Sequence, residues 1–390
     1  MTNQLREVMG EWADEVQVPH DLADRALRRR ARRPWVYGAL AVGVAAALAV
    51  AATIVTREGD IVIRPATEVT LPARPSPAPT DVRADVDNVP PRNMIAAGNY
   101  AISSYFVYST EKLGGRWERR RHTWWLLNPR TGTYEKTPYA WLDVAPGLQV
   151  AAVLEGEVMG RRIGILDLNT GQFLTWIELD QDVIGLKWSP DGTKLLATAY
   201  AEYPMRWKRV GPNSEEHLPT TRTGFYVVDV PTKEVAFRPM PNDENLLPAG
   251  SQNFNWSQDG TLVWEGRGGE PSRVYFTPDG REHEAPPEKY SSARVTPLSP
   301  NGTLLLGRDG LPTSITEKAT GRVVGRQQAL QLHAWADDES VLALACAGEC
   351  DNEFHSALML IGVDGSVKRQ LSGYQDKTKE DPWVGVLTPR

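Results

Sequence analysis

Trp188-Ser-Pro-Asp-Gly192, followed directly by Thr193-Lys-Leu-Leu-Ala-Thr-Ala-Tyr200, decides the architecture. An aromatic residue, a short polar turn and an apolar run describe the end of one strand, a tight reversal and a return strand. The Asp-Gly pair sits where such a reversal needs positive φ, which explains its presence without appeal to binding. The unit recurs as Trp256-Ser-Gln-Asp-Gly260 before Thr261-Leu-Val-Trp-Glu-Gly266, and as Leu298-Ser-Pro-Asn-Gly302 before Thr303-Leu-Leu-Leu306. Degenerate copies stand at Gly98, at Val144-Ala-Pro-Gly147 and at Trp335-Ala-Asp-Asp-Glu339. From Gly98 through Gly147, Gly192, Gly260 and Gly302 to Glu339 the spacing is 37 to 68 residues, a period that marks a repeat architecture.

A second unit alternates with the first: an apolar strand, a turn near Gly132, Gly171, Lys233, Gly280, Gly321 or Gly365, and another strand. Six of each unit in alternation give two hairpins per repeat, hence a four-stranded antiparallel sheet repeated six times. Such sheets cannot cover both faces alone, and radial packing solves this. The expected fold is all-β: a six-bladed β-propeller of four-stranded antiparallel blades, preceded by an N-terminal transmembrane α-helix. A further strand candidate, Trp383-Val-Gly-Val-Leu387, is expected to pair with the first repeat.

The pattern from Trp188 to Leu195, with its echoes at Trp256 and Leu298, resembles the TolB-like and WD40-like propellers of bacterial envelope proteins. The resemblance spans residues 93 to 388 and implies a repeat type rather than an activity, because its motifs are turn and packing chemistry. The Gly-His and Trp-Asp dipeptides of eukaryotic WD40 repeats are absent, so the partners of that class are not implied.

The helix is expected from Trp35 to Val55, an apolar stretch without charge, preceded by Arg25, Arg28, Arg29, Arg30, Arg32 and Arg33. Some 20 residues at 1.5 Å rise cross about 30 Å of hydrocarbon, and flanking arginines hold their end in the cytoplasm. Four segments follow: a basic cytoplasmic tail at 1–34, the span at 35–56, a Pro-rich extracytoplasmic linker at 57–92 and a propeller at 93–390. The rival reading is a cleaved secretory signal, since Ala49-Val50-Ala51 has the small-x-small form. The bilayer is thus a partner through residues 35–56. The expected location is the cell membrane, single-pass, with the C-terminal domain outside.

A net charge of −6 and a pI near 5.7 give no pull toward nucleic acid. The two cysteines, Cys346 and Cys350, point to a local disulfide outside the reducing cytoplasm, with free thiols as the alternative. No Gly-x-Ser-x-Gly, His-Glu-x-x-His or P-loop occurs, and the six histidines are scattered. Glu349, Asp351 and Glu353 cluster near the cysteines without an Asp-x-Asp-x-Asp-Gly loop. No cofactor, metal or catalytic residue is assigned.

Two connections are longer than a hairpin requires. Ser109 to Arg121 carries Lys112, Arg116, Trp117, Arg119, Arg120 and Arg121; Ala201 to Arg222 carries Tyr203, Arg206, Trp207, Lys208 and Arg209. Guanidinium groups beside tryptophan suit carboxylates, phosphates or sugars stacked on a ring. The ligand-binding candidates are Arg116, Trp117, Arg119, Arg120, Arg121, Arg206, Trp207, Lys208 and Arg209. The leading expectation is a non-catalytic module for an unknown protein or envelope ligand. The alternative is an extracytoplasmic hydrolase or lyase with its site at the propeller axis.

Overall fold

The reversal at Trp188–Gly192 folds as its residues dictate. The Asp191 carboxylate accepts hydrogen bonds from Ser189 Oγ (2.5 Å), Thr193 N (3.0 Å) and Thr193 Oγ1 (2.9 Å), while Lys194 N donates to Ser189 Oγ at 2.9 Å. Gly192 N closes the turn on the Ser189 carbonyl. The same bonds recur at Ser257, Asp259 and Thr261, and at Ser299, Asn301 and Thr303. The three glycines have φ of 74°, 73° and 75°, the left-handed region that a side chain resists. Burial pushes the Asp191 and Asp259 carboxyls up, but the Ser and Thr donors outweigh it and hold both below the usual range.

A computed structural model describes residues 68–211, 214–217, 220–241, 253–267, 273–286, 297–306, 314–346, 355–376 and 382–390. All belong to one unit, Glu68–Arg390, and are all-β: no helix occurs among the described residues. The basic tail, the apolar segment and the start of the expected linker lie outside them.

The strands form antiparallel sheets in chain order. In the first repeat, Tyr100–Gly114 pairs with Ala96–Ala97 and with Trp117–Asn128, which pairs with Thr133–Lys136. The C-terminal strand Trp383–Pro389 joins the same sheet along Tyr100–Val107, the pairing expected from the sequence. The second and third repeats share one sheet. Its strands follow as Trp141–Val144, Val150–Glu155, Gly160–Asp167, Phe173–Trp188, Lys194–Tyr200, Arg222–Asp229 and Glu234–Pro239. The 16-residue strand Phe173–Trp188 serves both repeats, with its pairing broken at Ile184/Lys187, where Gly185 has φ 74°. A four-stranded sheet spans Asn255–Trp256 to Glu282–His283, a three-stranded one Leu304–Leu306 to Val323–Arg326, and the last runs from Gln331–Trp335 to Val367–Gln370 with Gln375–Asp376 beside it.

Core lies between neighbouring sheets at four places among the described residues. Ala96, Phe106, Trp124 and Leu126 meet Leu142, Val144 and Val153; Ile163 and Ile177 meet Leu195 and Tyr226; Phe225 meets Phe254 and Val263; Leu306 and Ile315 meet Val341 and Met359. The last repeat also packs on the first, Leu342, Leu358 and Leu371 against Ile95, Ile102 and Tyr105. Middle strands are apolar on both faces and use small residues, such as Ala151, Ala152, Ala197 and Ala199, where sheets approach closely. The motif tryptophans tie neighbours together. Trp188 Nε1 donates to the Asp143 carbonyl (3.1 Å), Trp256 Nε1 to the Lys187 carbonyl (3.1 Å) and Trp335 Nε1 to the Pro297 carbonyl (3.0 Å). Each acceptor stands one residue before the corresponding position of the preceding repeat.

The expected linker, 57–92, differs from a free stalk over its described part. Val69 N donates to the Pro231 carbonyl, Leu71 packs on the core, and Arg74 Nη2 donates to the Pro190 carbonyl. Asp85 is buried and accepts from Asn88, Arg92 and Asn93, while Arg83 and Ala96 exchange backbone bonds. Apolar residues among the prolines find partners on the sheets, so the packed unit begins before residue 93.

Candidate functional site

The two charged connections are strands, and they meet. Tyr100–Gly114 and Trp117–Asn128 continue past the sheet as one long hairpin, while Arg206–Gly211 and Ser214–His217 form a second. Strand Arg206–Gly211 adds to the first hairpin, with Arg206 opposite Arg119, Trp207 opposite Glu118 and Lys208 opposite Trp117. The result is a four-stranded arm built from the first and third repeats. Antiparallel register places both hairpin turns at the same end. The nine sequence-predicted residues are therefore brought into one structure.

Four of their seven cations are spent in ion pairs, within the arm or to Glu157 and Glu202 beside it. On one face Arg119 pairs with Glu111 (2.8 Å) and Glu157 (3.0 Å), and Arg121 with Glu157 (3.1 Å). Arg206 pairs with Glu202, and its guanidinium lies over the Trp117 ring at 5.6 Å. On the other face Glu118 accepts from Arg209 Nη2 (2.8 Å) and Trp207 Nε1 (3.2 Å). Arg209 also meets Glu215. Arg120 sits over the Tyr108 and Trp207 rings at 4.9 and 5.7 Å. The hydrogen bond from Arg209 holds the Glu118 carboxyl below its usual range, and Arg119 does the same to Glu111. Trp207, which the sequence presents as exposed, is only 5% exposed because it packs within this ladder.

At the tip lies an open cleft of about 580 Å³ lined by Lys112, Gly114, Arg116, Trp117, Glu118, Arg209, Val210 and Gly211. Lys112 and Arg116 make no ion pair with a described residue. Leu113 and Val210 flank it, 45% and 49% exposed. Sequence reasoning missed this division between paired and unpaired cations; the signal was the set of glutamates interleaved with the arginines. It also missed Glu118 as the residue that clasps the second hairpin.

The base of the arm is aromatic. His122 is buried with ring centroids at 4.8 Å from Phe106, 5.0 Å from Tyr108 and 5.1 Å from Trp141. Burial, aided by the Arg120 charge, pushes its pKa down to about 4. Tyr203 OH donates to the Arg120 carbonyl at 2.6 Å, and burial pushes that phenol up.

Elsewhere, buried Asp143 accepts from Lys187 Nζ (3.1 Å) and Trp188 N (2.8 Å), and burial raises its pKa against the pull of Lys187. Arg222 and Glu265 form a buried pair, with Arg267 on the second carboxylate oxygen at 3.3 Å. No group of three His, Cys, Asp or Glu that could hold a metal ion occurs among the described residues. Cys346 is disulfide-bonded; Cys350 and the acidic residues between 347 and 354 lie outside the described residues.

No family model and no curated protein matches the chain. Among solved structures it is similar to TolB from Acinetobacter baumannii, at 16% identity and TM-score 0.39, covering 75% of this chain and 67% of that one. Oligogalacturonate lyase in complex with manganese follows at 13% identity and TM-score 0.38, covering 74% and 86%. Hydrazine synthase from Kuenenia stuttgartiensis stands at 14% identity and TM-score 0.33, covering 61% and 68%.

Proposed function

We propose that the chain is a membrane-anchored, extracytoplasmic six-bladed β-propeller that acts as a non-catalytic binding module, with the arm as its binding element. The observation that carries this reading is the arm itself. Two hairpins from non-adjacent repeats leave their sheets, pair with each other and enclose the cleft at their tip. A structural connection needs none of that length. Antiparallel sheets in chain order, core between most neighbouring sheets and packing of the last repeat on the first support the ring.

The second hairpin leaves its sheet at the end away from the turn that Val69 reaches. Tyr200 pairs with Arg222, and Lys194 with Asp229. The turn at Pro231, where the chain arrives at Val69, is therefore at the opposite end of this sheet from the connection that carries the second hairpin.

The alternative, a hydrolase or lyase at the axis, calls for converging carboxylates or histidines; the buried Asp143, whose pKa is raised, is already satisfied by Lys187 and Trp188. The test is to capture partners with the full chain from envelope membranes, identify one, and measure its affinity with purified components. The expected result is loss of binding on Trp117→Ala combined with Lys112→Gln, with Asp143→Asn unchanged. Binding that survives the arm substitutions overturns the proposal.

A further inference from the structure

We infer that the cleft at the arm tip binds an oxyanion, a carboxylate or a phosphate, carried on a body with a sugar or apolar face. The inference rests on the binding-module reading and names the ligand class of the same element. It starts from the way the arm distributes its charge. Arg119, Arg121, Arg206 and Arg209 are each bonded to a glutamate, within the arm or beside it at Glu157 and Glu202, so their charge is spent on structure. Of the other cations, Arg120 lies over the Tyr108 and Trp207 rings and Lys208 is not part of the lining, whereas Lys112 and Arg116 both line the cleft.

The one carboxylate in the lining, Glu118, stands opposite Lys112 and senses its charge, but it cannot offset all the cations. Its oxygens are taken by Arg209 and Trp207 Nε1, and Arg209 stands in the lining as well. The wall is therefore cationic, three groups against one. Guanidinium and ammonium donors bind oxyanions through charge-assisted hydrogen bonds, the strong class. Gly114 and Gly211 leave the backbone of both strands bare of side chains along the cleft. Trp117 and Val210 supply the apolar remainder, a surface on which a sugar ring or apolar group rests. The volume, about 580 Å³, is that of a small-molecule site.

The full chain in neutral detergent is titrated with inorganic phosphate, glucose 6-phosphate, glucuronate and glucose, followed by tryptophan fluorescence and calorimetry. Saturable binding of glucose 6-phosphate or glucuronate is expected, tighter than inorganic phosphate and absent for glucose. Which of the two sugar acids binds identifies phosphate or carboxylate as the recognised group. Lys112→Gln and Arg116→Gly, the latter suited to the φ of 70° at that position, are each expected to weaken binding by about tenfold or more. Arg130→Ala, on a remote turn, leaves binding unchanged, and circular dichroism checks that each variant folds. Absence of saturable binding by either acid, or binding that the Lys112 and Arg116 substitutions leave intact, overturns the inference. A protein partner lost with the arm substitutions while neither acid binds sinks this inference alone and leaves the binding-module reading in place.

Discussion

Acidification should weaken the arm's base through one residue. His122 is buried among Phe106, Tyr108, Trp124 and Trp141, with Arg120 the charged group beside it. Its pKa is about 4 in the folded chain, against about 6.5 for an unfolded imidazole. The folded state disfavours the charged ring, so as pH falls the unfolded chain takes up its proton first. The contribution is fully present above about pH 6.5, declines between there and pH 4, and is lost below. The whole effect is about 3 kcal/mol, and between pH 7 and pH 5 it amounts to about 2 kcal/mol. Carboxylates titrate over part of the same range, so the quantity to measure is a difference between two proteins. Urea unfolding of the full chain and of His122→Phe at both pH values is expected to show the native chain losing about 2 kcal/mol more than the variant. An NMR titration of the ring gives its midpoint directly. Equal losses in the two proteins, or a midpoint near 6.5, refute the reasoning.

Trp256→Phe removes the indole bond to the Lys187 carbonyl and part of a buried ring, and should cost about 2–3 kcal/mol in thermal or urea unfolding, without change in the far-ultraviolet spectrum. Glu265→Gln takes the charge from opposite Arg222, whose side chain is 1% exposed, and is expected to cost about 3–5 kcal/mol by the same assay. Glu118→Gln should release the second hairpin: hydrogen exchange over 206–211 rises while protection of 194–200 stays, and equal exchange in both proteins counts against the clasp. Deleting residues 35–56 should move the chain from the membrane to the soluble fraction on centrifugation, and persistence in the membrane argues against the anchor.

What the sequence reveals here is what is local. The bonds that build the Trp188–Lys194 turn join residues two to five apart, so Ser, Asp, Gly and Thr at fixed offsets are enough to read it, and its copies at Trp256 and Leu298 follow. The C-terminal strand is legible for a similar reason, as an apolar run left over after the repeats are counted. The meeting of Trp117 with Lys208 is different. The two lie far apart in the chain, and both hairpins are polar on either face, so no hydrophobic pattern sets their register. The linker misled by composition: its prolines suggest a stalk, whereas Leu71, Val82 and Ala84 pack on core.

The arginines mislead in a related way. Cations beside tryptophan read as a ligand surface only when their counter-charges are overlooked. Glu111 and Glu118 lie on the same hairpin as Arg119, and Glu202 is four residues before Arg206, so part of the pairing was open to inspection. Once those pairs are assigned, the arginines divide by role. Removing Arg119 or Arg209 strips a partner from Glu111 or Glu118 and opens the arm, so a loss of binding in such a variant reports on folding. Removing Lys112 or Arg116 breaks no ion pair among the described residues and changes the charge of the cleft, although Lys112 also acts electrostatically on Glu118 opposite it. The glutamates thus determine which cations are free to meet a ligand.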